Sequence, residues 1–453
     1  PDGPSGPNIS LEGQGAVTIK IENSVPAVQK YRVRLEKLRA GDLMQVVSRK
    51  KWWAQQGFKS ETVEVGSIFG FHGTVLDNRE VRLVTYPEAR TKKAAKKLAA
   101  RINKKTKRKA IVESWITEYP EATIRIAIHG RQMEVTAKNL FWLKVPNKRH
   151  VTVEKVTFLD QTHGRRASED QDLSGTFYAL PNAKGELTLV QVMNAEKLLK
   201  GIVPAEIYAS APPAALQAQA ITARGDLLEK LGKRHLNDPF LLCNEVHCQA
   251  HRGDKYEARS TSKAVDDTRG KVLFHKGHIV PAVYHASCGG HTERNEDVWP
   301  GAVPHTSLRG THDMSKSNSK KAPKIHKNGE VSEEALRRLL ESPSKAFCSL
   351  PKKGKAAFRW LRPISAKELQ ALDPKNNLGK IVDLQVVERG SGGHAKKVKL
   401  VGTKGSYTIS PELSIRRKIG GKKALRSSLF VIKAQHNADG SFKGVEILGG
   451  GFG

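Results

Sequence analysis

The stretch that decides the reading of this chain runs from Gly201 to Trp299. It opens with GIVPAEIYASAPPAALQAQAITAR (201–224) and continues through HCQAHRG (247–253), AVDDTRGKVL (264–273) and YHASCGGHTERNEDVW (284–299). A short helix from Asn194 to Lys200 runs into the turn that carries Glu206. A second helix begins near Pro212–Pro213, with Ser210 as its N-cap, and ends at Gly232. Proline suits the first helical turn because an N–H there would have no partner within the helix. Strand patterns at Lys271–His275 and Ile279–His285 flank a turn at Lys276–Gly277. Glu206 follows Val203-Pro204-Ala205 and precedes Ile207-Tyr208. A carboxyl among apolar neighbours on a tight turn is the kind that loses water and holds a proton. A glutamate that merely ends a helix is the plain alternative.

Upstream, residues 1–15 form a Pro/Gly-rich leader with no periodic pattern, read as a tether or frayed end. Residues 16–34 and 62–85 alternate apolar and polar side chains, with turns at Gly73–Thr74 and Asp77–Asn78. RTKKAAKKLAARINKKTKRK (90–109) places Ala94, Ala95, Leu98, Ala99 and Ile102 at helical spacing and reads as a basic amphipathic helix. A strand at Ala110–Trp115 and a hairpin around Gly130 follow, which suggests a small α/β module from about Ser67 to Val145. Downstream, VTVEKVTFL, GTFYAL and ELTLVQV read as strands, residues 309–331 as a polar basic insertion without period, Glu333–Glu341 as a helix, and the remainder as a β-rich closing region. The expected fold class is α+β and multi-domain, β-rich with one helical segment at its centre. The expected domains are an N-terminal module over 16–150 and a second region over 151–453.

Lysine and arginine number 77 against 45 acidic residues, a net charge of +32. Such a field attracts polyanions. No run approaches the ~20 apolar residues a spanning helix needs. Only 6% of residues are aromatic, and no nucleic-acid motif is present. Charge alone therefore gives no reason to expect specific nucleic-acid binding. An exported protein meeting an anionic cell wall would be basic for the same reason.

The four quoted pieces, in their order, resemble the SpoIID/LytB family, the stage II sporulation protein D and amidase-enhancer group of bacterial cell-wall proteins. The resemblance extends through AFCSLPKKGKAAFRW, the SGG near Ser391, SIRRKIG and LRSSLFVI, from about Leu187 to Gly453. VRLVTYPEARTKKAAKKLAARINKKTKRKAIVES faintly resembles half of a SPOR domain, a glycan-binding module, without its second helix. The departures are Ala214 where the family has Glu, Gly225-Asp226 where it has Thr-Tyr, and His251 where it has an aromatic. The sequence stops at GVEILGGGFG, where the family's glycine run continues into a GHGVGMSQ-like segment. That departure implies a cleft truncated at its C-terminal end.

The resemblance implies an exported peptidoglycan lytic transglycosylase acting on denuded glycan strands, extracytoplasmic, with Glu206 as the one general acid/base. Such an enzyme manages with one carboxyl because the sugar's own 6-hydroxyl attacks the anomeric carbon. The alternative it implies is a non-catalytic wall-binding protein or an amidase enhancer with a wall amidase as partner. Gln219, Arg224, His285, Ser287, His291 and Trp299 would contact substrate. An ion pair for Arg224, a buried satisfied histidine for His285 or His291 and a core position for Trp299 are the plain alternatives. No cofactor is required. For the four cysteines the reading favours a Cys248–Cys288 disulfide or free thiols over a structural Zn²⁺ held by His235, Cys243, His247 and Cys248, because Cys-x₄-Cys without a second close pair is a weak zinc signal.

Overall fold

The computed structural model describes residues 15–129, 133–146, 149–160, 165–275, 278–322, 324–327, 330–341, 345–350, 355–421 and 423–453. The expected leader, the tip of the hairpin at Gly130 and the turn at Lys276–Gly277 lie outside the described residues, apart from Gly15. The fold is α+β and multi-domain. The chain divides into two compact units, Pro1–Val283 and Tyr284–Gly453.

The first unit begins with β1 (Val17–Val25), β2 (Val28–Arg39), α1 (Leu43–Gln55), β3 (Ser60–Val65), β4 (Ile68–Phe71), β5 (Thr74–Asp77), β6 (Glu80–Thr85), α2 (Lys92–Thr106), β7 (Ile111–Glu118), β8 (Glu121–Ile128) and β9 (Met133–Lys138). An antiparallel sheet of order β3-β6-β2-β7 packs Val33, Leu35 and Leu83 against Trp53 of α1 and Ala95, Ala99 and Ile102 of α2. The alanine face of α2 lets the helix approach the sheet closely and leaves Lys92, Lys93, Lys96, Lys97 and Lys104 exposed. Thr91 caps its start by accepting from the Ala94 N–H. The α/β module expected over Ser67–Val145 is split. β8 and β9 join β1 instead, where Ile19 and Ile21 face Ile126 and Ile124 across the ladder and bury one isoleucine face. A one-residue slip would turn that face to water.

β10 (Phe141–Lys144), β11 (Val151–Asp160), β12 (Arg165–Leu173), β13 (Thr176–Pro181) and β14 (Leu187–Val192) follow, with β10-β13-β14 as one sheet and β11-β12 as a long hairpin. Then come α3 (Ala195–Glu206), α4 (Pro213–Lys230) and α5 (Arg259–Asp267). Their shared core is Leu199, Ile202 and Val203 of α3, Ala220, Ala223 and Leu227 of α4 and Val265 of α5, closed by Leu76 of β5. Helix α3 runs past the expected Lys200 to Glu206, with Pro204 inside it. Proline there removes only its own N–H from the ladder, and the last turn is closed by the Ile207 N–H donating to Val203 O at 3.0 Å. Helix α4 has Pro212, not Ser210, at its N-cap, without a side-chain cap bond, and stops at Lys230 rather than Gly232. Of the two strands expected at 271–285, only Phe274–His275 and His278–Ile279 pair.

The second unit holds two three-stranded antiparallel sheets. One is Ile381–Arg389, Ala395–Gly402 and Gly405–Ile409; the other places Phe442–Gly450 between Arg359–Ser365 and Phe430–His436. Their common core takes Leu384, Val398, Leu400, Phe430 and Ile447, with Ile415 and Ile419 from the helix Glu412–Gly420. The expected helix Glu333–Glu341 is present and buries Leu336, Leu339 and Leu340 against Leu429 and Val431. The stretch 309–331, expected to be an exposed insertion, has local structure. It forms a helix at Lys316–Lys321 and a two-residue pairing of His326–Lys327 with Glu330–Val331, and its Ile325 is buried in that core.

Candidate active site and metal centre

Glu206 is the last residue of α3, half-buried, with its Oε1 3.4 Å from the Ala250 N–H. The segment that reaches it, HCQAH, also lies along α4. Gln249 Nε2 donates to Ala223 O and to Asp226 Oδ2, both at 2.9 Å, while Lys230 Nζ donates to Asp226 and to Cys248 O. Gln219, Ala223, Asp226 and Lys230 fall on one stripe of α4 by the three-and-four spacing of a helix. The loop contacts this stripe at Ala223, Asp226 and Lys230. Two buried polar atoms have no hydrogen-bond partner among the described residues: Gln219 Nε2 on α4, a donor, and Gln249 Oε1 on the loop, an acceptor. A buried polar atom left without a partner costs stability. One donor and one acceptor are what a sugar hydroxyl satisfies.

His251 stands where the resemblance expects an aromatic. Its ring is buried against Gly201 of α3, so close that a Cβ on Gly201 would lie 2.4 Å from Nε2. Gly201 is required there by close approach. Burial holds His251 below the ordinary histidine pKa, and Asp254 only partly offsets it. The imidazole is therefore a flat, neutral filler between the loop and the helix that ends in Glu206.

Arg224 is not a substrate contact. It is fully buried, and its guanidinium donates to Glu196 twice, each at 2.8 Å, to Lys271 O at 3.0 Å and to Val265 O at 3.2 Å. It ties α3, α4 and α5 together, the ion pair that was its plain alternative.

The four residues proposed as zinc ligands come together. His235, Cys243, His247 and Cys248 each present a ligand atom within 4.8 Å of all the others. His235 Nε2 is 3.2 Å from Cys248 Sγ, and His247 Nδ1 is 3.8 Å from Cys243 Sγ and 3.7 Å from Cys248 Sγ. Tetrahedral zinc with Zn–S of ~2.3 Å and Zn–N of ~2.0 Å separates such atoms by roughly 3.5 Å. Asp238 Oδ2 holds His235 Nδ1 at 2.7 Å, which turns Nε2 toward the sulfurs. The Cys243 thiol is pulled down to about 4 by the Cys248 thiol beside it, while Cys248 is pushed up by donating to Cys243 and by burial. The donor set fits a structural zinc. All four cysteines are free, so the Cys248–Cys288 disulfide is not formed. Each of those sulfurs has a different neighbour, His235 for Cys248 and Cys348 for Cys288.

The remaining expected contacts belong to the second unit. His285 is exposed, and Trp299 is 49% exposed after the short helix Asn295–Val298, so Trp299 is not core. Ser287 is buried and pairs through its backbone with Phe452. His291 is buried, donates Nδ1–H to Thr292 O at 2.7 Å, and is brought by burial down to about 4. It forms the floor of an open cleft of about 380 Å³ with Arg294, His312, Lys324, His326 and Ser391. Sequence reasoning missed Glu293. Its carboxylate accepts from the backbone of Arg294 (2.9 Å), Gly392 (2.7 Å) and His394 (3.3 Å) and from Ser391 Oγ (2.8 Å). The signal was present as GGHTE and SGG, two motifs 100 residues apart with no spacing to join them.

Residues 183–275 match the family model described as stage II sporulation protein, SpoIID, and residues 293–453 match a domain of unknown function, DUF8618. An uncharacterized protein of Brachyspira hyodysenteriae (strain ATCC 49526 / WA1) is 34% identical over 119 residues, 26% of this chain and 32% of its own length. The amidase enhancer of Bacillus subtilis (strain 168) is 36% identical over 107 residues, 24% of this chain and 14% of its own. Stage II sporulation protein D of the same organism is 27% identical over 124 residues, 24% of this chain and 36% of its own. The chain thus spans about a third or less of the length of these relatives. The class that emerges is a SpoIID domain joined to a second unit with its own family match. The domain match and the names of these relatives support a SpoIID/LytB family assignment. No described helix is long and apolar enough to cross a membrane.

Proposed function

We propose that the chain works on the bacterial cell wall as a peptidoglycan lytic transglycosylase, with Glu206 as the single general acid/base. The observation that carries this reading is a half-buried Glu206 that meets the HCQAH loop at Ala250, with an orphaned acceptor on Gln249 of that loop and an orphaned donor on Gln219 of α4, the helix the loop packs on. A glycan hydroxyl would complete both amides while the Glu206 carboxyl protonates the glycosidic oxygen. The deprotonated carboxylate then takes the proton from the sugar's 6-hydroxyl as that oxygen attacks the anomeric carbon, closing a 1,6-anhydro ring. His235, Cys243, His247 and Cys248 would hold a zinc ion whose part is to fix the loop, not to enter the reaction.

Incubating the chain with glycan strands stripped of stem peptides should yield anhydro-muramyl ends by mass spectrometry. Glu206→Gln should lower that yield by about 10²–10⁴-fold while sedimentation with wall material persists. Equal yield from the variant refutes the role of Glu206. A second reading is supported by the relative named amidase enhancer, 36% identical. It expects wall binding and stimulation of a wall amidase that Glu206→Gln leaves unchanged, with no sugar product from either protein.

A further inference from the structure

Two cysteines of the second unit have no part in the glycan reading. Cys288 lies in the SCGG loop and is 5% exposed; Cys348 lies in the single turn Phe347–Ser349 and is half-buried. Their sulfurs are 3.6 Å apart, in van der Waals contact. Asp313 locks the two segments together. Its N–H donates to Gly290 O at 3.0 Å, its carbonyl accepts from the Phe347 N–H at 2.8 Å, and its Oδ2 accepts from the Cys348 N–H at 2.9 Å. On the other side of Cys288, Ser287 is paired with Phe452, and a Cβ on Gly289 would lie 2.5 Å from the carbonyl carbon of Gly450. The loop has no room to slide, so the sulfurs face each other by construction.

A metal is the competing use of this cluster. Cys288, Cys348 and Asp313 are its only candidate ligands among the described residues. Asp313 Oδ2 already holds the Cys348 amide, and Cys288 Sγ already accepts from the Gly290 N–H at 3.3 Å. A closed zinc site takes four protein donors. The sulfurs are left to each other.

We propose that Cys288 and Cys348 form a disulfide when the protein meets a low-molecular-weight disulfide or a thiol–disulfide oxidoreductase. Bond formation needs the sulfurs to approach from 3.6 Å to ~2.05 Å, a movement of roughly 1.5 Å that side-chain rotation can supply. The more accessible Cys348, as thiolate, attacks one sulfur of the oxidant RSSR; the S–S bond breaks, Cys348–S–SR forms and RS⁻ leaves. Cys288 gives its proton to that RS⁻ and attacks Cys348 Sγ, expelling the second RS⁻, which takes the proton Cys348 released. Two protein thiols and one RSSR become one protein disulfide and two RSH. The asymmetry suits this order: the Cys288 thiol donates to Cys348 and lowers its pKa, while that same donation and burial raise the pKa of Cys288. The bond would close the whole segment from the SCGG loop through the Lys316–Lys321 helix, restricting the unfolded chain.

The test uses the full chain, reduced with dithiothreitol, freed of reductant, saturated with zinc and exposed to oxidised glutathione, then alkylated with N-ethylmaleimide. The expected result is loss of two hydrogens from the intact mass, a crosslinked peptide joining Cys288 to Cys348, and a second-unit melting point raised by about 10 °C. Cys288→Ser should instead trap glutathione on Cys348, and Cys348→Ser should leave Cys288 reduced. The proposal is overturned if both thiols of the folded wild-type chain still react with N-ethylmaleimide after oxidation. It is equally overturned if Cys288 links to another cysteine, or if Cys348→Ser removes one zinc ion per chain.

Discussion

The buried pair of Glu196 and Arg224 is the place where structure and glycan chemistry make opposite forecasts. Glu196→Leu leaves a fully buried guanidinium with its two carbonyl partners and no counter-charge. Removing one partner of such a pair costs about 3–5 kcal/mol. A unit of this size melts roughly 2 °C lower per kcal/mol, so the loss should read as ~6–10 °C. Arg224→Met should cost a similar amount, since it strands a carboxylate whose side chain is 8% exposed. The double variant Glu196→Leu/Arg224→Met removes both charges and strands only Lys271 O and Val265 O, at about 1 kcal/mol each, so it should cost ~2 kcal/mol. The double-mutant cycle, read from urea midpoints at fixed slope, should then give a coupling of at least about 4 kcal/mol. Additive single effects, or singles within about 1 kcal/mol of wild type, refute the strut. Wall sedimentation at a temperature where every variant is folded closes the question: a stable double variant that no longer binds glycan returns Arg224 to the substrate.

Two further outcomes follow from the charged clusters. Zinc should bind the first unit one per chain, measured by elemental analysis; a strong chelator should lower that unit's melting point, and Asp238→Ala should weaken zinc by about 10–100-fold, because Asp238 orients His235. Glu293 is brought down to about 2: burial pushes its pKa up, but His394 and the Arg294 and Gly392 amides outweigh that. A depressed carboxyl stabilises above its unfolded pKa and loses that contribution as pH falls, here from about 4.5 toward about 2. Glu293→Gln should therefore cost on the order of 3 kcal/mol at pH 7 in urea melts, with the gap to wild type closing as pH drops through that window.

Where the sequence was legible, one physical rule dominated. Ala94, Ala95, Leu98, Ala99 and Ile102 at helical spacing gave α2, and the helix expected at 333–341, whose Leu336, Leu339 and Leu340 share one face, is present to the residue. Helix α1 was missed because Leu43, Met44 and Val47 stay exposed and only Val46 and Trp53 are buried, so no single apolar face marks it. β12, RRASEDQDL, is polar but for Ala167 and the buried Leu173 at its end, and pairing with β11 makes it a strand. At the site, the spacing of His235, Cys243, His247 and Cys248 drew attention to four residues that the structure brings together, though it weighed less in the sequence than a disulfide or free thiols. Composition cannot report that Asp238 aims His235 or that Gly201 makes room for His251, because both depend on which helix turn meets which loop.

The number of available carboxylates bears on the chemistry. Glycoside hydrolysis by water uses two carboxyls across the scissile bond. On the stripe of α4 that the HCQAH loop contacts, the carboxylate is Asp226, and it is committed: Lys230 and Gln249 both donate to its Oδ2. It stands at a position where the family pattern has no acid. Releasing Asp226 as a base would strand a buried ammonium and the Gln249 amide together, a cost that a catalytic cycle would meet at every turnover. Glu206, at the end of α3, meets that loop at the Ala250 N–H, 3.4 Å from its Oε1. A glycan bound here would therefore find Asp226 unavailable as a second carboxyl. Under the proposed glycan chemistry, the commitment of Asp226 weighs against an activated water and for attack by the sugar's own hydroxyl.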